Sequence, residues 1–261
     1  MCSAIDGLLS LRQGRRSTPP GEIPIMKLVI AETGIPPMDL PATHNHYPDM
    51  MVAMLSKAGL DVDASVARVF SGDQAPAPDE GDALLITGSP AGVYEDLPWI
   101  APLADAVRDW ASSGKPVIGI CFGHQLMAHA MGGRVEKSAF GWGVGVHTYE
   151  LTDAARAPGD PARIACVVSH QDQVVSLPEE AERIGGSAFC PNGVIRYRQG
   201  RMLSFQMHPE FDHEFAEALL AIRENIIPAE RVALARAGFS HHTDRALMGK
   251  WIAAFLKGEV E

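Results

Sequence analysis

Short apolar runs alternate with amphipathic segments of helical spacing along the first half of the chain. The strands that these apolar runs predict are 27–32, 66–70, 83–87 and 116–121. Apolar residues three and four positions apart predict helices at 48–59, 99–112 and 123–131. This alternation is typical of a parallel sheet whose strands are joined by helices packed on its faces.

The second half of the chain is richer in strand patterns and ends in helical ones. The strands predicted there are 144–151, 164–169, 194–197 and 202–206. The helices predicted there are 211–227, 229–237 and 244–256. These patterns predict one α/β domain over 26–261, with an open, mostly parallel but mixed sheet, helices on both faces, and a helical extension from about residue 211. Residues 1–25 are predicted to form a loose leader.

The charge of the chain narrows the classes of partner. Its 261 residues carry a formal net charge of −10, and nucleic-acid affinity rests on Lys and Arg neutralising phosphates, so a small-molecule substrate is favoured over nucleic acid. Four cysteines are too few for a disulfide scaffold. No apolar run approaches the roughly 18 residues of a membrane helix, and the arginines of the leader follow its apolar stretch, the reverse of a secretory signal. We therefore expect a cytoplasmic protein with no membrane partner.

The segment 119–123, Gly-Ile-Cys-Phe-Gly, joins a predicted buried strand to a predicted helix. Its G-x-C-x-G form is a cysteine version of the nucleophile elbow, a tight turn that exposes the nucleophile at the carboxyl edge of the sheet. The following helix favours a thiolate at Cys121, and the N–H of Phe122 is aimed where an oxyanion would form. Alone, the motif is equally compatible with a small buried cysteine in a glycine-bearing turn.

A second polar segment, Gln-Met-His-Pro-Glu at 206–210, follows the last predicted strand. Residues i and i+2 of an extended segment face the same way, so His208 and Glu210 can present an imidazole and a carboxylate together. A carboxylate beside a histidine fixes its tautomer and stabilises the imidazolium formed when it takes a thiol proton. By itself, this segment is better explained as a surface loop without function.

Together the two segments resemble the class I (triad) glutamine amidotransferases, and the resemblance extends from Met26 to about Glu210. Members of this family continue the cysteine elbow with G-H-Q-L, present here at 123–126, and carry a late H-P-E, present here at 208–210. The resemblance implies the class I amidotransferase fold and a catalytic triad of Cys121, His208 and Glu210.

Two further family motifs imply residues around the triad. Thr-Gly-Ser-Pro at 87–90 stands where the family has a glycine-bearing oxyanion loop, which implies that Gly88 joins Phe122 as a backbone donor. Ser-His-Gln-Asp-Gln-Val at 169–174 resembles the segment that holds the amino-acid end of glutamine. The residues that the resemblance implies in substrate binding are Gln125, Ser169, His170, Gln171 and Asp172.

The resemblance also implies a reaction, namely hydrolysis of the γ-amide of glutamine or of a γ-glutamyl compound through a γ-glutamyl thioester. It implies no metal or organic cofactor. The 51 residues after Glu210 are too few for an ATP-using acceptor domain, so ammonia would pass to a separate synthetase. This stand-alone branch resembles the amidotransferase domain of GMP synthase. It also includes γ-glutamyl peptidases, whose action on glutathione-like substrates is the main alternative.

Two other interpretations are less favoured. A cysteine α/β-hydrolase would take its acid from between the nucleophile and the histidine, which would make Asp172 the third member of the triad. A non-catalytic regulatory subunit is disfavoured because every triad residue is present. The histidine pairs at 44/46 and 241/242 invite a zinc interpretation, but no cysteine or carboxylate accompanies them at ligand spacing, and solvated loops explain them better.

Overall fold

The computed structural model describes residues 25–37, 40, 46–155 and 161–260. The strands are β1 (Met26–Glu32), β2 (Val62–Arg68), β3 (Ala83–Ile86), β4 (Val117–Ile120), β5 (Arg134–Lys137), β6 (Gly143–Leu151), β7 (Arg163–His170), β8 (Asp172–Ser176), β9 (Ala181–Gly186), β10 (Val194–Tyr197) and β11 (Met202–Phe205). The helices are α1 (Tyr47–Lys57), α2 (Ile100–Ser113), α3 (Phe122–Ala130), α4 (His213–Arg223), α5 (Ala229–Gly238) and α6 (Arg245–Lys257). The main sheet has the order β2-β1-β3-β4-β11-β10-β9-β6-β7, and β5 pairs with β8 separately.

One half of the main sheet is parallel. Its neighbouring strands β2, β1, β3, β4 and β11 all run in the same direction. Every residue of β3 and β4 is buried, because helices cover both faces of these central strands. That burial explains why both sequences are continuous apolar runs instead of alternating ones.

The other half of the sheet is antiparallel. Each of the strands β10, β9, β6 and β7 runs antiparallel to the strand that precedes it in the sheet order. Because direction alternates there, β9 and β7 again point the same way as the parallel half. The sheet is therefore mixed, with most strands sharing one direction, and the predicted α/β class is confirmed.

Four strands differ from the sequence prediction. β2 covers Val62–Arg68 instead of 66–70, because it lies at the sheet edge with mostly exposed side chains and gives little apolar signal. The strands β5, β8 and β9 were not predicted. Each is short and only partly buried, and β5 buries a single residue, Val135, so no strand periodicity stands out in their sequences.

Helices cover both faces of the sheet, as predicted. On one face, Leu55 of α1 and Ile252 of α6 join a core cluster with strand residues. On the other face, Trp110 of α2 and Leu126 of α3 belong to a second cluster. The helices α4 and α5 pack on β6 and β7 in a third cluster that contains Phe215.

The carboxyl ends of the parallel strands place several loops at one edge of the sheet. β3 leads into the segment that begins at Thr87, β4 into Cys121, and β11 into the segment 206–212. The predicted leader, residues 1–25, lies outside the described residues except for Ile25. Within the described part of the chain, no helix has the length and apolar character needed to cross a membrane.

Candidate active site

Cys121 lies in a strained turn between β4 and α3. Its φ of 51° is the single positive φ of a non-glycine residue among the residues that the structure describes, and such a conformation costs about 1–3 kcal/mol. Both flanking glycines are required by packing. A Cβ at Gly119 would overlap Met127 Sδ, and a Cβ at Gly123 would overlap the carbonyl oxygen of Ile86. The segment 119–123 therefore has the geometry of a nucleophile elbow.

The turn holds the Cys121 thiol at the first turn of α3 and at the wall of a cavity. The N–H of Cys121 donates to the carbonyl oxygen of Phe205 at 2.8 Å, which ties the turn to β11. The Cys121 side chain is 5% exposed and lines a cavity of about 350 Å³, a size typical of small-molecule sites. A small substrate in this cavity would contact the sulfur.

His208 and Glu210 form a buried pair beside this thiol. Nδ1 of His208 lies 2.7 Å from Oε1 of Glu210, and both side chains are almost completely buried. The imidazole stacks on Phe211 with ring centroids 4.0 Å apart, and the His208 N–H donates to the carbonyl oxygen of Val167 at 2.8 Å. Backbone and ring contacts thus fix the orientation of the imidazole.

Cys121 lies near the same imidazole, since both residues line one small cavity. Because Glu210 engages Nδ1, Nε2 is the ring nitrogen that remains available to the thiol. Burial lowers the pKa of His208, but the Glu210 carboxylate, the charge of Cys121 and hydrogen bonding outweigh it and raise the pKa from 6.5 to about 10. The arrangement therefore favours a protonated imidazole between two groups that can carry negative charge.

Gly88 closes the opposite side of the His208–Cys121 pair. Thr33 Oγ1 donates to the carbonyl oxygen of Gly88 at 3.0 Å, which anchors this loop. A Cβ added at Gly88 would lie 3.0 Å from Cε1 of His208 and 3.8 Å from Cβ of Cys121, so the backbone approaches both side chains closely. Within the described part of the chain, the N–H groups of Gly88 and Phe122 donate to no backbone carbonyl, which leaves both available to a ligand.

A chain of amide hydrogen bonds also reaches the thiol. Gln125 Nε2 donates to the carbonyl oxygen of Asp172 at 2.9 Å and to Oε1 of Gln206 at 3.2 Å. Gln206 Nε2 donates in turn to Cys121 Sγ at 3.6 Å. Gln206 was not among the predicted site residues, although its position two residues before His208 in an extended segment placed it on the same side.

The segment 169–172 forms a wall of the same cavity, to which Ser169, His170, Gln171 and Asp172 all contribute. Ser169 Oγ accepts a hydrogen bond from Nη1 of Arg223 at 2.9 Å. His170 Nδ1 lies 3.1 Å from the carbonyl oxygen of Asp172, and burial above all lowers the pKa of His170 to about 3. His170 is therefore neutral at physiological pH.

A cysteine α/β-hydrolase would require the side chain of Asp172 to pair with His208, but Asp172 has a different partner. Its Oδ2 accepts a hydrogen bond from the hydroxyl of Tyr94 at 2.9 Å. Nδ1 of His208 pairs with Glu210 instead. The geometry thus associates the imidazole with the carboxylate two residues beyond it.

The other described cysteines occupy a different environment. Cys166 and Cys190 are both about 1% exposed and belong to the hydrophobic core. Burial raises the pKa of Cys190 to about 12 and raises that of Cys166 further. Neither thiol therefore has the properties of a reactive nucleophile.

Two of the paired histidines, His46 and His242, lie near protein carboxylates. His46 Nδ1 lies 3.3 Å from Oε1 of the buried Glu32, so His46 is more than a solvated loop residue. His242 is exposed and lies 3.5 Å from Asp244, while His44 falls outside the described residues. Among the residues that are described, no group of three or more His, Cys, Asp or Glu side chains is arranged to hold a metal ion.

Comparison with known proteins places this geometry in a family. The family model described as Glutamine amidotransferase class-I matches residues 45–223, more than half of the chain. Gamma-glutamyl peptidase 4 of Arabidopsis thaliana is 28% identical over 233 residues, which cover 82% of this chain and 89% of that protein. A glutamine-hydrolyzing GMP synthase of Syntrophomonas wolfei is 37% identical over 133 residues, which cover 50% of this chain and 25% of that protein.

Solved structures show the same fold. A glutamine amidotransferase from Thermotoga maritima superimposes with a TM-score of 0.67 at 20% identity, covering 90% of this chain and 99% of that one. A glutamine amidotransferase from Methylobacillus flagellatus gives a TM-score of 0.70 at 20% identity, covering 91% and 96%. These likenesses confirm the predicted fold, and the family match confirms the resemblance stated from the sequence motifs. The chain belongs to the glutamine amidotransferase class-I family and is an enzyme of the amidohydrolase type.

Proposed function

We propose that this enzyme hydrolyses the γ-amide of glutamine, or of a γ-glutamyl compound, through a catalytic triad of Cys121, His208 and Glu210. The observation that carries the proposal is the His208–Glu210 pair, 2.7 Å between Nδ1 and Oε1, beside a thiol on a strained turn. A nucleophile, a base and a group that orients the base are the parts required for covalent catalysis at a carbonyl.

In the first half of the reaction, the Cys121 thiolate attacks the γ-carbonyl carbon and a C–S bond forms. The N–H groups of Gly88 and Phe122 donate to the oxyanion, which is stabilised because these donors are fixed before the charge develops. The C–N bond then breaks, and the His208 imidazolium gives its proton to the leaving nitrogen. The products of this half are the free amine and a γ-glutamyl thioester on Cys121.

In the second half, water hydrolyses the thioester. Neutral His208 takes a proton from the water while its oxygen bonds to the γ-carbonyl carbon, and the C–S bond breaks to release glutamate and the Cys121 thiolate. Glu210 holds the imidazole in one tautomer and stabilises its charged form at each stage. The raised pKa of His208, about 10, supports this role.

The amino-acid end of the substrate is proposed to lie against the wall formed by 169–172. The position of that segment along the 350 Å³ cavity supports this placement. Gln125 lines the same cavity and would contact the substrate through its amide oxygen, because its amide nitrogen donates to Asp172 and Gln206. A reducing cytoplasmic location is part of the proposal, since the described cysteines are all unpaired.

Two leaving groups are compatible with this chemistry. Release of ammonia to a separate synthetase is supported by the likeness to GMP synthases. In the Syntrophomonas wolfei protein, the matched region is 25% of the length. Release of a peptide amine is supported by the likeness to gamma-glutamyl peptidases 4 and 3 of Arabidopsis thaliana, which align over 89% and 90% of their lengths. The second observation makes γ-glutamyl peptide hydrolysis a specific alternative.

Steady-state kinetics of the purified protein test the proposal. Glutamine and glutathione would be compared as substrates, with glutamate measured in both cases and with ammonia or cysteinylglycine as the second product. We expect turnover of at least one substrate by the wild type and none by Cys121→Ala. No glutamate from either substrate, or unchanged turnover in Cys121→Ala, would refute the proposal, and the ratio of kcat/KM values distinguishes the two leaving groups.

A further inference from the structure

Thr33 follows β1 directly, and its side chain meets the loop that carries Gly88. Because β1 and β3 are parallel neighbours with Ala31 opposite Ile86, the segments that follow them leave the sheet side by side. The side chains of Thr33 and Thr87 are both buried. The Thr33 N–H donates to Oγ1 of Thr87 at 3.0 Å, so the backbone already holds the Thr33 hydroxyl against the Gly88 loop.

The Thr33 hydroxyl contacts both peptide groups that flank the α-carbon of Gly88. Its Oγ1 lies 3.1 Å from the carbonyl oxygen of Thr87 and 3.0 Å from that of Gly88, so its single proton is shared between two acceptors. The first carbonyl belongs to the peptide group that contains the Gly88 N–H, and the second belongs to the next one. One side chain thus holds the two peptide planes whose rotations define φ and ψ of Gly88.

Gly88 itself cannot supply this rigidity. A Cβ at this position would lie 3.0 Å from Cε1 of His208, tighter than an ordinary van der Waals contact, so the close approach of backbone to imidazole favours glycine. Glycine has the widest conformational freedom of any residue. A backbone donor stabilises an oxyanion strongly only if it is fixed before the charge develops. The conformation of Gly88 must therefore be fixed by contacts from outside, and Thr33 makes such contacts.

The same contacts set the direction of the Gly88 N–H. In a trans peptide group the N–H and the C=O point in opposite directions. The carbonyl oxygen of Thr87 also accepts the N–H of Gly123 at 3.1 Å, and Gly123 belongs to the elbow segment 119–123. With that carbonyl held by Thr33 and by the elbow, the N–H of the same peptide group is directed away from both donors. The proposed oxyanion donor is thereby fixed relative to the turn that carries Cys121.

We infer that Thr33 is a positioning residue of the oxyanion hole, whose hydroxyl fixes the backbone of Gly88 so that its N–H donates to the oxyanion. The inference rests on the proposed γ-glutamyl hydrolysis. Thr33 is not among the residues that line the two cavities beside Cys121, so its effect on the reaction would pass through Gly88. The oxyanion forms in the transition state and not in the bound substrate, so loss of the hydroxyl should lower kcat and leave KM unchanged.

The test removes the Thr33 hydroxyl in two variants and keeps it in a third. Thr33→Val has nearly the same size without the hydroxyl, Thr33→Ala lacks it and needs less room, and Thr33→Ser retains it. We expect the fold to survive, because each carbonyl oxygen keeps another donor. That of Thr87 keeps the Gly123 N–H at 3.1 Å, and that of Gly88 keeps the Thr87 hydroxyl at 3.2 Å.

Thr152→Val is the matched control. Thr152 Oγ1 donates to the carbonyl oxygen of Ile184 at 3.3 Å, and this oxygen likewise keeps a second donor, the Thr152 N–H at 2.9 Å. For every variant, kcat and KM are measured with glutamine and with glutathione, and thermal unfolding reports the fold. The rate at which iodoacetamide alkylates Cys121 is followed by mass spectrometry. Alkylation displaces iodide from a CH₂ carbon and forms no oxyanion, so it reports the thiol without the oxyanion hole.

The expected losses follow from the role of the donor. Removal of one oxyanion-hole donor lowers kcat by about 10²- to 10³-fold, and misdirection of a donor that is still present should cost less, about 10- to 100-fold. We expect that loss of kcat in Thr33→Val and Thr33→Ala, with KM unchanged. Thr33→Ser and Thr152→Val should keep kcat close to the wild-type value, and all four variants should be alkylated at Cys121 as fast as the wild type.

Several outcomes would overturn the inference. One is wild-type kcat in both Thr33→Val and Thr33→Ala, and another is a loss in Thr33→Ser as large as that in Thr33→Val. Parallel losses in kcat and in alkylation, a loss confined to KM, or unfolding of both hydroxyl-free variants at the assay temperature would give Thr33 a purely structural role. All of these leave γ-glutamyl hydrolysis intact, whereas no turnover of either substrate by the wild type would overturn the proposed function, and the inference with it.

Discussion

Replacement of Gln206 by leucine tests whether the buried amide chain supports the nucleophile. Gln206 is fully buried, and its Nε2 donates to Cys121 Sγ at 3.6 Å. Leucine has a similar size and removes this donor without opening a large cavity. Gln125, which donates to Oε1 of Gln206, keeps its second acceptor at the carbonyl oxygen of Asp172. We therefore expect the fold to survive the substitution.

The expected size of the effect follows from the contact. A hydrogen bond to a charged group contributes about 1.5–3 kcal/mol, and because sulfur is a weak acceptor the contact of Nε2 with Sγ at 3.6 Å belongs at the lower end of that range. A loss of about 1.4 kcal/mol corresponds to about tenfold in rate. Alkylation of Cys121 by iodoacetamide near neutral pH should therefore slow about tenfold in Gln206→Leu, and kcat/KM should fall by a similar factor.

Gln173→Leu provides a matched control. Gln173 is also a buried glutamine, 4% exposed, but its Nε2 has no hydrogen-bond partner among the described residues and it makes no described contact with Cys121. Its replacement should leave alkylation unchanged and should not lower the thermal unfolding temperature, because an unsatisfied amide is removed.

The pH dependence of alkylation separates a direct effect on the sulfur from general damage. At high pH, where the thiol ionises without help from a donor, the rates of wild type and Gln206→Leu should converge. A tenfold deficit that persists at high pH, or an equal loss in Gln173→Leu, would refute the reasoning from the Nε2–Sγ contact.

Three further predictions concern the triad itself. A glutamine-analogue electrophile should label Cys121 and spare Cys166, which mass spectrometry of the digested protein would show; labelling of Cys166 with activity retained in Cys121→Ala would contradict the assignment. Glu210→Gln should lower kcat by about 10²- to 10⁴-fold, whereas Asp172→Asn should not disable the triad, and the reverse outcome would favour the α/β-hydrolase interpretation. Since the folded pKa of His208 is raised from 6.5 to about 10, the stability it contributes is complete below pH 6.5 and is lost as pH rises through about 10; Glu210→Gln should move that loss to lower pH in denaturation experiments.

Local sequence was sufficient to predict a structural element where the environment of its residues is reflected in their neighbours along the chain. β3 and β4 were predicted because strands buried on both faces need apolar side chains at every position. The elbow was predicted because its requirements are also local. Gly119 and Gly123 are needed within two residues of Cys121, where the turn brings backbone and side chains too close for a Cβ.

Sequence also indicated which side chains could act together, although only through motifs that match a family. His208 and Glu210 lie two residues apart, so an extended backbone presents them together whatever the rest of the fold. The approach of this pair to Cys121, 87 residues before His208, depends on β11 lying beside β4. No pattern in either strand specifies that neighbour, because each is short and buried at every position and its mostly apolar side chains would pack equally well against others.

The tertiary structure alone decided the contacts that join distant and weakly patterned segments. The partly exposed strands β2, β5, β8 and β9 carry little apolar periodicity, so their pairing partners and not their sequences define them. Gln206 meets the sulfur of Cys121, and Arg223 meets Ser169, only after the sheet and α4 are assembled. A polar side chain gives no periodic signal in the sequence, and its role here is set by which partners the fold places within hydrogen-bonding distance.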